Sequence, residues 1–225
     1  MNALTRRSWQ LALVASGLLA AVGGGMHPDV DAAGNTAREE LAVMTADDAW
    51  VPGHSLLTLS VALLALGLWG ARRSGRWPGA DRALKVGVVA VLLYLVESVM
   101  HTAAAVDADN LAHGHSAPVA MTHLALAAFL YPVSGAAIVW MANSIGAEWG
   151  RLRFLSAFGI IGGCVHAVVV PMTLLLTDTE TTPLFATAGM TLAAWSIAVG
   201  LIGMTRPAPR REASVRSAQE PVGRA

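Results

Sequence analysis

Glu97 and His101 stand four residues apart, so on a helix they share one face. A carboxylate and an imidazole at that spacing can grip one metal ion, or the carboxylate can orient the imidazole from behind. Tyr94 and Ser98 extend the same polar stripe. His123 opens the next apolar run, His166 lies inside a later one, and His54 begins an earlier one. His113 and His115 form a His-Gly-His pair in the segment between His101 and His123. Imidazole with carboxylate suits copper, zinc or iron, and a loop pair of histidines suits capture of a borderline ion such as Cu²⁺, Ni²⁺ or Zn²⁺. Met100 and Met121 neighbour His101 and His123 in sequence, a mixture that copper(I) would favour.

Glu97 is the most informative of these residues. An ionised carboxylate in a span costs about 2.5–3.5 kcal/mol on insertion scales, so it must face protein or water and needs a cation, a proton or a donor. His166 follows Gly159, Gly162 and Gly163, a small-residue face that lets another helix approach, so it points into a bundle. At about 1.5 Å per residue, His101 and His123 fall roughly 6–8 Å below one boundary, and Glu97 and His166 roughly 14 Å below it. The expected metal ligands are therefore Glu97, His101, His123 and His166, with His54, His113 and His115 as a secondary set for capture at the outer surface.

Those residues are positioned by long apolar runs. Of the 225 residues, 55% are hydrophobic and 13% charged, against about 25% charged in soluble domains. Six runs have the length that spans a bilayer, about 18 residues or more: roughly 9–26, 54–71, 84–106, 119–141, 154–176 and 184–204. The fold expected is all-α, a polytopic membrane bundle of six transmembrane helices over 1–205, with a disordered cytoplasmic tail, 206–225, rich in Arg, Pro, Ser and Ala. "TAREELAVM", in the one long connection between runs, predicts a short surface helix.

Charge sets the threading. Arg6, Arg7, Arg72, Arg73, Arg76, Arg82, Lys85, Arg151, Arg153 and the arginines of the tail occupy alternate segments, leaving only Arg38 on the other side. The positive-inside rule makes the rich side cytoplasmic, with both termini there. All seven histidines then fall in the outer half or the outer loops, among acidic residues such as Asp29, Asp31, Asp107, Asp109, Asp178 and Glu180. Trp9, Trp50, Trp69 and Trp140 near the span ends read as an aromatic belt. The first run also reads as a signal peptide, whose removal would leave five spans. Fourteen arginines to one lysine suggest a GC-rich bacterial genome, and hence an inner (plasma) membrane location.

One cysteine, Cys164, allows no intrachain disulfide and no thiolate cluster. There is no Gly-rich phosphate loop and no basic-aromatic patch for nucleic acid. The partners expected are the lipid bilayer, a metal ion and subunits of a membrane complex. The function expected is binding of a transition metal, copper first and zinc second, for metal handling or metal-dependent redox chemistry. The alternatives are b-type haem held by paired histidines, proton or cation translocation, and a non-catalytic accessory subunit. Whether the chain is an enzyme stays open, because an open coordination position and a substrate cleft are not legible in a sequence.

Overall fold

The computed structural model describes residues 3–28, 36–176 and 181–205, with side chains from Arg7 onward. The tail 206–225, and Asp29, Asp31, Asp178 and Glu180 of the acidic set, lie outside the described residues. Among the described residues there is no strand. Six helices are long and apolar enough to cross a membrane: α1 (Ala3–Gly25), α3 (Trp50–Arg73), α4 (Asp81–Ala103), α6 (Pro118–Ala147), α7 (Ser156–Leu175) and α8 (Thr182–Thr205). They overlap all six apolar runs of the sequence. Two short helices, α2 (Ala37–Ala46) and α5 (Ala108–Ala112), lie in the connections. The surface helix expected at "TAREELAVM" is α2.

Each long helix packs on its neighbour in sequence, and α8 returns to α1, so the six form a closed ring. Small residues permit the tightest contacts. A Cβ on Gly163 of α7 would lie 2.8 Å from the carbonyl oxygen of Gly135 on α6, and a Cβ on Gly23 of α1 would lie 2.8 Å from that of Gly53 on α3. Real Cβ atoms essentially never come that close, so only glycine allows these backbones to meet.

The two ends of the ring differ. At one end lie Arg72, Arg73, Arg82, Lys85, Arg151 and Arg153, above an apolar core of Leu13, Leu68, Leu84, Met141, Ile145 and Trp149. Polar ties here include Arg72 Nε to Asp81 at 3.1 Å, and the Gly79 N–H to Glu148 Oε1 at 2.8 Å. Exposed pairs of the first kind contribute about 1 kcal/mol or less. At the other end the core turns polar. There α1 ends, α3 begins, α4 ends and α6 begins, and a second apolar cluster of Leu41, Trp50, Ala104, Leu111, Ala117 and Ala120 covers the helix ends.

The turn from α4 to α6 is set by a carboxylate. Asp107 ends a 3-10 turn, Ala104–Asp107. Its Oδ2 accepts the N–H groups of Val119 (2.7 Å) and Ala120 (3.1 Å). Those are orphan donors of the first turn of α6, which Pro118 opens. The cap fixes the start of α6, and hence the position of His123 one turn in.

The aromatic belt is only half realised. Trp69 and Trp140 are about half exposed, as a belt requires, but Trp9 is buried and Trp50 has no exposed surface. Trp9 packs edge-on against Trp77 at 5.6 Å, and Trp50 covers a histidine. Both fill interior space between helices.

Candidate metal centre

The face that α4 turns inward is defined by what it turns outward. Leu93, Val96 and Val99 are exposed, and Glu97 and Ser98 between them are buried. Glu97 has no accessible surface. Its Oε1 accepts the Nδ1–H of His123 from α6 at 2.8 Å, and His101 Nδ1 lies 3.6 Å from the same oxygen. Its other oxygen, Oε2, is buried without a hydrogen-bond partner. A lone pair sealed away from water in this manner costs about 1–3 kcal/mol, more for a charged group. A proton on Oε2 would remove the charge and leave an O–H in search of an acceptor, and a cation could satisfy the oxygen directly.

His54 of α3 shows the same pattern. Its Nδ1 lies 2.8 Å from the Trp50 carbonyl, to which it donates, so Nε2 carries the lone pair. Nε2 is buried without a partner. An imidazole that donates one N–H to a carbonyl or carboxylate and keeps the lone pair of the other nitrogen unpaired has the usual arrangement of a metal ligand. His123 likewise donates its Nδ1–H, to Glu97.

These rings form a cluster in which Trp50, which also lies 5.0 Å from His101, closes a triangle. Trp50 covers His54 at 3.9 Å between centroids, His54 lies 4.4 Å from His101, and His101 stacks on His123 at 4.0 Å. His27, just past the end of α1, adds a further ring 5.0 Å from His54. A hydroxyl ladder holds α3 against α4 beside this cluster. Thr58 Oγ1 lies 2.9 Å from both Ser98 Oγ and Thr102 Oγ1, and Thr102 donates to the His54 carbonyl at 3.2 Å.

Two sets of ligand atoms result, each lying within 4.8 Å of one another: Glu97, His101 and His123, and His27, His54 and His101. Nitrogens about 2.0–2.1 Å from a shared ion can be at most about 4.1 Å apart. A pair at the 4.8 Å limit would therefore have to close by about 0.7 Å or more.

Four of the residues singled out in the sequence, Glu97, His101, His123 and His54, come together here, and the depth match of His101 with His123 is realised as a stacked pair. His54 is buried beside His101, whereas His113 and His115 are exposed. His166 stands elsewhere. It hydrogen-bonds Ser134 at 3.1 Å through Nε2, stacks on Tyr131 at 4.3 Å and meets Tyr94 edge-on at 4.9 Å. Ser134 lies about three helical turns along α6 from His123, so the deeper layer is tyrosine, serine and histidine without Glu97. His113 and His115 are exposed and stack on each other at 5.9 Å, with His113 beside Asp109 at 3.2 Å; neither enters the two ligand sets.

His27 was missed. On its own in a loop it has no distinguishing spacing. The signal lay in two glycines: Gly23 and Gly53 bring α1 onto α3, and His27 and His54 follow them by four residues and one. Met121, expected beside the site, has nearly half its surface exposed.

No family model, curated protein or solved structure matches this chain. The site's chemistry therefore rests on its own residues.

Proposed function

We propose that this is a multi-pass protein of a bacterial plasma membrane that binds a transition-metal ion, copper before zinc, at Glu97, His101 and His123. The observation that carries the reading is Glu97: fully buried, tied to His123 through one oxygen, with no partner at the other. Glu97 brings the formal negative charge that a dication needs and fixes the tautomer of His123. His101 closes the set from the same face of α4. Nitrogen and oxygen donors without a thiolate suit Cu²⁺ and Zn²⁺, and of the two Cu²⁺ binds such a set more tightly. Haem held between His101 and His123 is disfavoured, because rings stacked at 4.0 Å leave no slot for a porphyrin plane.

The arginine end is assigned to the cytoplasm by the positive-inside rule, with both termini there and the histidine end outside. The first helix is retained. Its support is the packing of α1 between α3 and α8, where Ser60 Oγ donates to the Ser16 carbonyl at 2.8 Å and Ser196 Oγ to the Leu13 carbonyl at 2.8 Å.

The test is metal analysis with optical and paramagnetic resonance spectra on detergent-purified protein, for wild type and for Glu97→Gln with His101→Ala. The expected result is one copper per chain after exposure to Cu²⁺, lost in the double variant. Wild-type protein that takes up neither Cu²⁺ nor Zn²⁺ overturns the reading.

A further inference from the structure

Between α4 and α6, toward the arginine end of the ring, the lipid-facing surface carries a groove of about 440 Å³. Arg82 and Lys85 stand at its head, Val89 and Leu93 continue it along α4, and Val133 and Trp140 flank it from α6. We propose that this groove binds one anionic phospholipid: Arg82 and Lys85 take the phosphate, and an acyl chain lies along the apolar part. The site is separate from the metal centre, and the inference does not rest on the metal reading.

Spacing along α4 matches the groove to the dimensions of a lipid. Arg82, Lys85, Val89 and Leu93 recur at intervals of three and four residues, so they lie on one helical face. From Arg82 to Leu93 that face rises about 1.5 Å per residue, or about 16 Å in all. One leaflet contributes about 15 Å to a hydrocarbon core of about 30 Å. The cations therefore stand at headgroup level when Leu93 reaches the bilayer midplane. Lys85, one turn inside Arg82, reaches that level by extending its flexible stem. Ala90 makes the floor: it is buried, whereas Val89 and Leu93 are about half exposed. A small side chain between larger ones leaves room for a chain of methylenes.

Charge separates this groove from ordinary lipid contact. Other cations at the same end are engaged within the protein: Arg72 pairs with Asp81 at 3.1 Å, and Arg73 lies over the Trp69 ring at 4.8 Å. Among the described residues neither Arg82 nor Lys85 has an ion pair or a ring partner, and no carboxylate lines the groove. Asp81, the neighbour of Arg82 in sequence, is the acid tied to Arg72. Two unpaired cations on one face attract a phosphate, Arg82 as a planar fork and Lys85 as a point charge. Basic pockets between spans select anionic headgroups in this way. A zwitterionic lipid brings its own ammonium to the same place and gains less.

The experiment places the full chain in nanodiscs of phosphatidylcholine that carry a small fraction of phosphatidylglycerol with brominated acyl chains, which quench tryptophan on contact. Reference discs carry the same brominated chains on phosphatidylcholine. Trp140 reports occupancy from the wall of the groove. In wild type the anionic lipid is expected to quench more than the zwitterionic one at equal fraction, and the excess is expected to vanish in Trp140→Phe. Arg82→Gln with Lys85→Gln is expected to lower the apparent affinity for the anionic lipid about tenfold. Arg151→Gln with Arg153→Gln is expected to leave that affinity at the wild-type value, because these cations lie outside the groove. All four side chains are exposed, so the fold is not at stake in either pair. Equal quenching by the two lipids in wild type overturns the site. So does an excess that survives Trp140→Phe or the Arg82 and Lys85 changes, or one that the Arg151 and Arg153 changes lower to the same extent.

Discussion

Buried carboxylates within apolar helices invite substitution, because the two obvious replacements separate charge from hydrogen bonding. Glu97→Gln keeps an acceptor for the His123 Nδ1–H at the 2.8 Å contact. Glu97→Ala leaves that donor buried with nothing to receive it, which costs about 1–3 kcal/mol. In metal-free protein Glu97→Ala is therefore expected to melt lower than Glu97→Gln in detergent, while both lose copper affinity. Equal melting points would mean that the His123 contact does not form. His166 is the control. Its ring pairs with Ser134 and Tyr131 in a layer apart from Glu97. His166→Ala is expected to leave copper content and spectrum at wild-type values, and loss of copper in that variant would return His166 to the ligand set. The sequence could suggest Glu97 with His101, because a four-residue spacing fixes a shared face. It could not separate His166 from them, because counting residues from an approximate span end cannot resolve one helical turn.

Helix ends hold these residues in place, and their caps are the elements most open to test. Thr36 and Glu39 form a reciprocal cap on α2, with the Thr36 N–H donating to Glu39 Oε2 at 2.7 Å and the Glu39 N–H to Thr36 Oγ1 at 3.3 Å. The Thr36 N–H foremost, and after it the Thr36 hydroxyl, which donates to the same Oε2 at 2.8 Å, hold the Glu39 carboxyl below its ordinary range. Because the folded value is lowered, the stabilisation is complete above the unfolded value of about 4.3 and disappears as pH falls through the folded one. Amide exchange in α2 is expected to quicken, relative to the other helices, as pH falls below that value. Thr36→Ala is expected to produce the same fraying at neutral pH, at a cost of about 1 kcal/mol. An α2 equally protected at both pH values would dispose of the cap's contribution. The existence of α2 was legible in "TAREELAVM", because polar and apolar residues alternate there with a helical period. The cap that Asp107 places on α6 was not, since it joins groups twelve and thirteen residues apart whose meeting depends on the turn between two spans.

At the scale of the whole molecule, closure of the ring is what supports the proposal that the first helix stays in the protein. The six spans could be read from composition and length alone, because lipid demands long uninterrupted apolar stretches. Their order around the ring could not, because an apolar face does not reveal whether it meets lipid or another helix. The signal-peptide alternative arose from that ambiguity, and packing bears on it directly. Leu13 of α1 has no exposed surface, and the backbone of α1 receives hydroxyls from α3 and α8. Removing α1 would expose Leu68 on one side and Val199 on the other, both now fully buried in the core to which Leu13 belongs. It would also sever the chain close to His27, whose ring lies 5.0 Å from that of His54. Intact-mass measurement of protein purified from membranes is therefore expected to show a chain that retains the segment through Gly25. A chain beginning near His27 would instead mean a five-helix ring with an open seam between α3 and α8.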